Sequence, residues 1–168
     1  MTDYKILQQA QAMFAQNNCI GADNCIFVAA KDTQSQGMQA GLRGTMGLAG
    51  KAIAGGMASA DALYHLAYDG LLLNLTERGL GIIPLLNQGF NLNGDLAKMT
   101  AVAENFLFID MNAIEEINVK DYSFLNRKVK TVRFFLKNGQ KIQVLAKVAE
   151  KMIPYQEANF ARFMAKYM

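Results

Sequence analysis

Apolar and polar residues alternate on both sides of Lys137-Asn138-Gly139, and this pattern predicts a β-hairpin. The apolar positions are Val132, Phe134 and Leu136 before the turn, and Ile142 and Val144 after it. A two-residue Asn-Gly loop would set Phe134 opposite Gln143 and mix the apolar and polar faces. A three-residue loop with Gly139 in a left-handed bulge sets Phe134 opposite Ile142 instead. We therefore predict the three-residue turn.

A second hairpin is predicted over residues 71–85, with its turn at Glu77-Arg78-Gly79. If Gly79 is again the bulge residue, Leu73 lies opposite Ile83 and Leu71 lies opposite Leu85. The register predicted here therefore follows the same parity rule as in the first hairpin. Within the returning arm, Pro84 cannot donate a ladder hydrogen bond, which favours an edge strand or a strand end.

Helical periodicity marks both ends of the chain. Residues 3–18 predict an N-terminal helix with a thin apolar stripe, and Pro154 suits the first position of a C-terminal helix over residues 154–167. The apolar face of the second helix is expected to cover an open end of a sheet; it consists of Phe160, Phe163, Met164 and Tyr167. Short strands are predicted at residues 25–30, 106–109 and 117–119, with a polar loop over residues 87–100.

A glycine- and alanine-rich insertion, residues 32–69, separates the first two predicted strands, and residues 36–60 hold seven of the fourteen glycines. Wound as a helix, this stretch would place five apolar residues on one face: Met38, Leu42, Met46, Ile53 and Met57. Seven interior glycines oppose such a helix by roughly 4 to 7 kcal/mol, so it would need a surface to lie on. That surface could be the protein's own core, a neighbouring subunit or a membrane interface. A transmembrane span is disfavoured by Arg43 and Lys51, and a loosely helical insertion is the simplest interpretation.

Positive charge is concentrated between residues 120 and 141, where seven basic residues face one acidic residue, a net charge of +6. The rest of the chain has ten basic and thirteen acidic residues, a net charge of −3. A local positive field attracts phosphate groups, and we therefore take five residues of this segment as candidate ligand contacts: Lys120, Arg127, Lys128, Lys130 and Arg133. The simpler interpretation is that these side chains prevent edge strands from pairing with other chains.

Composition favours one globular domain over residues 1–168, since 52% of the residues are hydrophobic and 18% are charged. The first five residues lack the basic and apolar regions of a secretory signal, so a cytoplasmic protein is expected, peripheral at the inner face of the membrane if it binds lipid. Cys19 and Cys25 have no second pair to complete a zinc site and are expected to be buried free thiols.

The sequence contains no pattern of residues that indicates a catalytic, metal-binding or cofactor-binding site. His65 is the single histidine, and no serine or cysteine is placed beside it by a known motif. Glu115 and Glu116 are adjacent, so in a strand their carboxylates would point to opposite faces. The glycines at positions 79 and 81 do not have the spacing of a phosphate-binding loop. The sequence therefore favours a protein that is not an enzyme.

Three motifs in order along the chain resemble those of bacterial pleckstrin-homology-like (PH-like) domains, which are close in fold to GRAM domains. They are Leu75-Thr76-Glu77-Arg78-Gly79-Leu80, Ile114-Glu115-Glu116-Ile117-Asn118-Val119 and Phe134-Phe135-Leu136-Lys137-Asn138-Gly139, and the resemblance covers residues 24–31 and 70–168. It implies an α+β, mostly β fold: a partly open barrel of about seven antiparallel strands in two near-orthogonal sheets, capped by the C-terminal helix. It also implies binding rather than catalysis.

The insertion is where the chain departs from this family, whose members usually have a short loop between the first two strands. Phosphoinositide-binding members carry lysines and arginines in that loop, whereas here it is mostly glycine and alanine. The resemblance therefore does not extend to the usual inositol-phosphate site.

A non-enzymatic binding module is the function that these observations favour, recruited to an anionic phospholipid surface or to a protein partner. The alternative is a protein-protein or self-assembly module that packs through the glycine-rich segment, without lipid binding. Nucleic acid is a weaker candidate, because few aromatic residues are interleaved with the basic ones and no RNP-like motif is present.

Overall fold

Two helices and eight strands are formed by residues 3–32 and 67–168, the part of the chain that the computed structural model describes. In chain order they are α1 (Leu7–Gln16), β1 (Cys25–Lys31), β2 (Gly70–Leu75), β3 (Gly79–Asn87), β4 (Met99–Ala101), β5 (Leu107–Asp110), β6 (Ile114–Ser123), β7 (Asn126–Leu136), β8 (Lys141–Lys147) and α2 (Gln156–Tyr167). Single 3-10 turns lie at Leu96–Lys98, Ala103–Asn105 and Met111–Ala113. The predicted α+β, mostly β class is confirmed. Within the described residues, neither helix combines the length and apolar composition needed to cross a bilayer.

All eight strands belong to one antiparallel sheet, with the order β4-β3-β2-β1-β8-β7-β6 and with β5 pairing beside β4 along β3. The connection between β1 and β8 is short, since it consists of the pairs Ala30 with Leu145 and Lys31 with Val144. The sheet is therefore divided into β1–β5 and β6–β8, joined at one narrow seam. It does not close, and within the described residues β6 pairs with β7 alone.

The hairpin of β7 and β8 has the predicted register. Phe134 pairs with Ile142 and Val132 pairs with Val144, and all four side chains are buried. Gly139 has a φ of 85°, and its amide donates to the Leu136 carbonyl oxygen at 2.9 Å. The prediction succeeded because this hairpin has one apolar and one polar face, so that a one-residue slip would bury polar side chains.

The predicted register of the hairpin of β2 and β3 is wrong by one residue. Leu73 pairs with Ile82 rather than Ile83, and Leu71 pairs with Pro84. Thr76 and Gly79 donate to each other's carbonyl oxygens at 3.0 and 3.3 Å, so the loop contains two residues instead of three. All six residues of β2 are buried, and so are the first seven of β3. Because neither face of these two paired segments is in contact with solvent, the alternation of apolar and polar residues could not determine their register.

The expected edge or strand-end position of Pro84 is also wrong, because this residue lies in the middle of β3. Its position coincides with the gap between the two partners on that side, since β5 pairs with residues 79–82 and β4 with residues 85–87. The Pro84 carbonyl oxygen accepts from the Val102 amide at 2.9 Å. Proline has no backbone N–H, and at this position neither β4 nor β5 requires a hydrogen-bond donor from β3.

One face of the sheet encloses a core that α2 covers. The helix begins at Gln156, two residues after the predicted start, and presents its apolar face to β1. Phe163 lies against Phe27, with ring centroids 4.7 Å apart, and Phe160 lies 5.1 Å from the same ring. Met164 and Tyr167 are half-buried at the margin of this core. The predicted apolar face of the C-terminal helix is therefore confirmed.

The opposite face of β1–β3 is covered by a second core around α1, which is shorter than the predicted helix over residues 3–18. Tyr4, Met13 and Phe14 are buried there, and the Tyr155 hydroxyl donates to the Tyr4 carbonyl oxygen. Because both faces of these strands are covered, β2 and β3 carry apolar residues almost continuously.

Cys19 lies in this second core with 4% of its surface exposed, and it is a free thiol, as is the half-buried Cys25. Burial raises the pKa of the Cys19 thiol from 9.0 to about 11. The folded state then holds this proton to higher pH than the unfolded chain does. We expect the free energy of unfolding to fall between pH 9 and 11, by up to about 1.4 kcal/mol per pH unit from this group.

Urea unfolding of the wild-type protein and of Cys19→Ala at several pH values tests this expectation. Both proteins lose stability through groups that they share, so the difference between them isolates Cys19. The difference should shrink as the pH rises from 9, and parallel profiles would contradict the assignment.

Candidate functional site

Phe124 and Leu125 form the turn between β6 and β7, with Ser123 paired to Asn126 and the Asn126 amide donating to the Ser123 hydroxyl oxygen at 3.1 Å. The sequence predicted neither this turn nor the full length of the two strands. Glycine, proline and Asn-Gly are the usual turn signals, and none is present here. The available signal was the pair of short polar residues, Ser123 and Asn126, that flank an apolar dipeptide.

The side chains at this turn are exposed to solvent to an unusual degree. Phe124 is 84% exposed and Leu125 is 93% exposed. The Arg127 guanidinium carbon lies 5.7 Å from the centroid of the Phe124 ring, within range of a cation-π contact. Folding therefore leaves two large apolar side chains uncovered beside a positive charge.

Two of the five predicted basic residues, Arg127 and Lys128, lie next to this turn at the start of β7 and are exposed. Lys120 is also exposed, but it pairs with Thr131 and so lies further from the turn than the pair of Asp121 and Lys130. We call Phe124, Leu125, Arg127 and Lys128 the hairpin tip. The salt bridges of Lys130 with Asp121 and of Lys147 with Glu150 include neither basic residue of the tip. The hairpin tip combines an apolar end with a charge of +2 from its two basic side chains.

The other two predicted residues make contacts within the protein. Lys130 is 8% exposed, and its ammonium group lies 2.5 Å from a carboxylate oxygen of Asp121. The Arg133 Nε donates to the Gln143 Oε1 at 2.8 Å, and Gln143 in turn donates to the buried Asp32 carboxylate. The structure therefore brings Arg127 and Lys128 together at the turn, and it places Lys120, Lys130 and Arg133 further along the two strands.

The five apolar candidates of the insertion, namely Met38, Leu42, Met46, Ile53 and Met57, lie outside the described residues, as does His65. In the described part of the chain, no three histidine, cysteine, aspartate or glutamate side chains are grouped so as to hold a metal ion. Glu115 and Glu116 lie at a bulge at the start of β6, and both are exposed.

A second exposed apolar pair lies on the loop between β3 and β4. Phe90 is 83% exposed and Leu92 is 80% exposed. The side chain of Asn91, between them, is held by the Asn87 carboxamide at 2.7 Å and by the Asp95 amide at 3.0 Å. This loop resembles the hairpin tip in exposure but lacks its cluster of basic residues.

An open groove with a volume of about 690 Å³ lies beside that loop and is lined by residues 86–89 and 100–104. A smaller cavity of about 180 Å³ lies between α2 and the β2–β3 turn. Neither is lined by any residue of the hairpin tip. Both pockets therefore lie apart from the tip.

Comparisons of the chain with protein-family models, with curated proteins and with solved structures found no match.

Proposed function

We propose that the protein is a non-enzymatic binding module that docks on anionic phospholipid membranes through the hairpin tip. The observation that carries this proposal is the position of Arg127 and Lys128 beside two exposed apolar side chains at one end of a hairpin. Each basic residue near an anionic surface contributes about 1 kcal/mol of attraction, which is screened by salt. The protein would then be peripheral at the cytoplasmic face of the membrane.

A PH-like architecture is part of the same proposal. The narrow seam between β1 and β8 divides the strands into two groups, in keeping with the two sheets that the resemblance implies. The β4 and β5 strands pair with successive parts of β3 and can be counted as one interrupted strand, which leaves seven. The amphipathic helix α2 follows the last of these strands and packs on the core, as the resemblance also implies.

Flotation with anionic and neutral vesicles tests the proposed function. We expect the wild-type protein to float with anionic vesicles at low salt and to bind less as salt is raised. The variant R127Q/K128Q should lose about 2 kcal/mol of binding free energy, or roughly thirtyfold in affinity.

The matched control is K98Q/K151Q, which removes the same charge from two exposed lysines outside the tip. Equal losses in the two variants would show that only net charge matters. No flotation of the wild-type protein under any of these conditions would overturn the proposal.

A protein partner is the second candidate, and the observation that favours it is the outer edge of β6. This strand has ten residues, and within the described part of the chain it pairs on one side only. Such an edge can accept a strand from another chain. Sedimentation velocity over a range of protein concentrations, without lipid, tests self-association through this edge or through the glycine-rich segment. A mass that rises with concentration, combined with no vesicle binding, would select this candidate.

A further inference from the structure

The backbone conformation of the β6–β7 turn does not explain why its two residues are Phe124 and Leu125. Two-residue hairpin loops favour glycine, asparagine and aspartate, which adopt the required backbone conformations at little cost. In this turn Phe124 and Leu125 occupy both positions, and neither has a positive φ. Their side chains also contribute nothing to the cores, since they are 84% and 93% exposed.

The turn also projects beyond the strands around it. The last residue of β8 is Lys147, which pairs with Val129, and the Val148 amide makes one further bond to the Lys128 carbonyl oxygen at 2.9 Å. Beyond this bond, residues 124–127 pair with no strand outside the hairpin within the described part of the chain. At about 3.3 Å per residue, the projecting part of β7 is about 7 Å long. Interfacial elements enter the boundary between headgroups and acyl chains by a similar depth, about 5 to 10 Å.

We infer that Phe124 and Leu125 insert into this boundary region of an anionic phospholipid membrane, while Arg127 and Lys128 remain at the level of the phosphates. The inference rests on the proposed function and adds how the tip engages the bilayer. Because Arg127 lies over the Phe124 ring, its guanidinium is placed to meet a phosphate when the ring enters the boundary region. Insertion would make docking more persistent than charge attraction alone, since apolar burial is not screened by salt.

A single tryptophan reports the insertion directly, because the chain contains none. In Phe124→Trp we expect the fluorescence emission to shift to shorter wavelength on addition of anionic vesicles, and to be quenched by lipids brominated in the acyl chain. The control is Phe90→Trp, which places the same probe at an equally exposed position outside the hairpin tip. Its emission should stay that of a solvent-exposed indole.

A second variant separates insertion from charge attraction. We expect F124S/L125S to bind anionic vesicles at least about tenfold more weakly than the wild-type protein, because burial of the two apolar side chains is lost. Both changes lie at exposed positions, so the fold should be retained, which circular dichroism checks.

The outcomes distinguish the two proposals. If the wild-type protein does not float, the proposed function fails. If it floats but the Phe124→Trp emission is unchanged and F124S/L125S binds like the wild-type protein, docking is purely electrostatic and the insertion is refuted. If the emission shifts without vesicles as protein concentration rises, the tip packs against another copy, which also overturns the lipid inference.

Discussion

Replacing Gln156 by Leu should lower the free energy of unfolding by about 3 to 6 kcal/mol. The Gln156 side chain is fully buried, and its carboxamide accepts from the Val28 amide at 2.9 Å. It also donates to the carbonyl oxygens of Val28, at 3.0 Å, and Lys147, at 2.9 Å. Leucine would fill much of the space but would leave the buried amide and carbonyl of Val28 without these bonds, at about 1 to 3 kcal/mol each, and would free the half-buried Lys147 carbonyl at a smaller cost. Urea unfolding at neutral pH measures the loss.

The control for this substitution is Glu157→Leu, at the next position of α2. Glu157 is exposed, so its replacement should change stability by no more than about 0.5 to 1 kcal/mol. A loss below about 1 kcal/mol in Gln156→Leu would mean that water or a backbone shift satisfies the abandoned groups. The carboxamide would then not be what joins β1 to β8.

The substitution Gly79→Ala should destabilise the protein by about 3 kcal/mol or more, combining steric and backbone strain. Gly79 has a φ of 154°, and a Cβ atom there would lie 2.2 Å from the Ile109 carbonyl oxygen and 3.0 Å from the Asp110 Cα. Both atoms belong to the backbone of β5, which cannot rotate away as a side chain could. The strand pair of β3 and β5 would have to separate, and thermal or urea unfolding would record the loss.

Gly139→Ala provides the comparison, because this glycine also has a positive φ, 85°, but has nothing within 4 Å of the added Cβ. Its replacement should cost only the backbone strain, about 1 to 2 kcal/mol. Equal losses at the two positions would show that β5 moves aside easily and that close packing at Gly79 adds nothing.

Hairpin geometry was predictable from the sequence only where solvent contacts one face. Around Gly139 the polar face made every alternative register costly, and the predicted pairing is the one observed. Around Gly79 the need for a glycine was visible, but its reason lies in Ile109, a residue thirty positions away that packs against it. The register there depends on α1 and α2 covering both faces, which no local pattern reveals.

The candidate site was predictable in its charge but not in its shape. The excess of basic residues pointed to the segment that contains the candidate site, yet a count of charges cannot tell that Lys130 is paired with Asp121 or that Arg133 is bonded to Gln143. From the sequence, Phe124 could be identified only as an aromatic residue among basic residues. Its exposure follows from a turn that lacks the usual turn residues, so the apolar part of the tip could be recognised only in three dimensions.

The narrow pairing between β1 and β8 also affects the order in which parts of the protein can fold. The side chains of Gln156 and Asn159 supply the hydrogen bonds that β8 does not give to β1, and they lie 128 and 133 residues away from their partners Val28 and Ile26. On a ribosome, β1 is made early, but its open side can be matched only after α2 has emerged. Contacts of such sequence separation slow folding, because the intervening chain must first be ordered. We therefore expect α2 to dock late in folding and to join the two groups of strands when its side chains bond to β1.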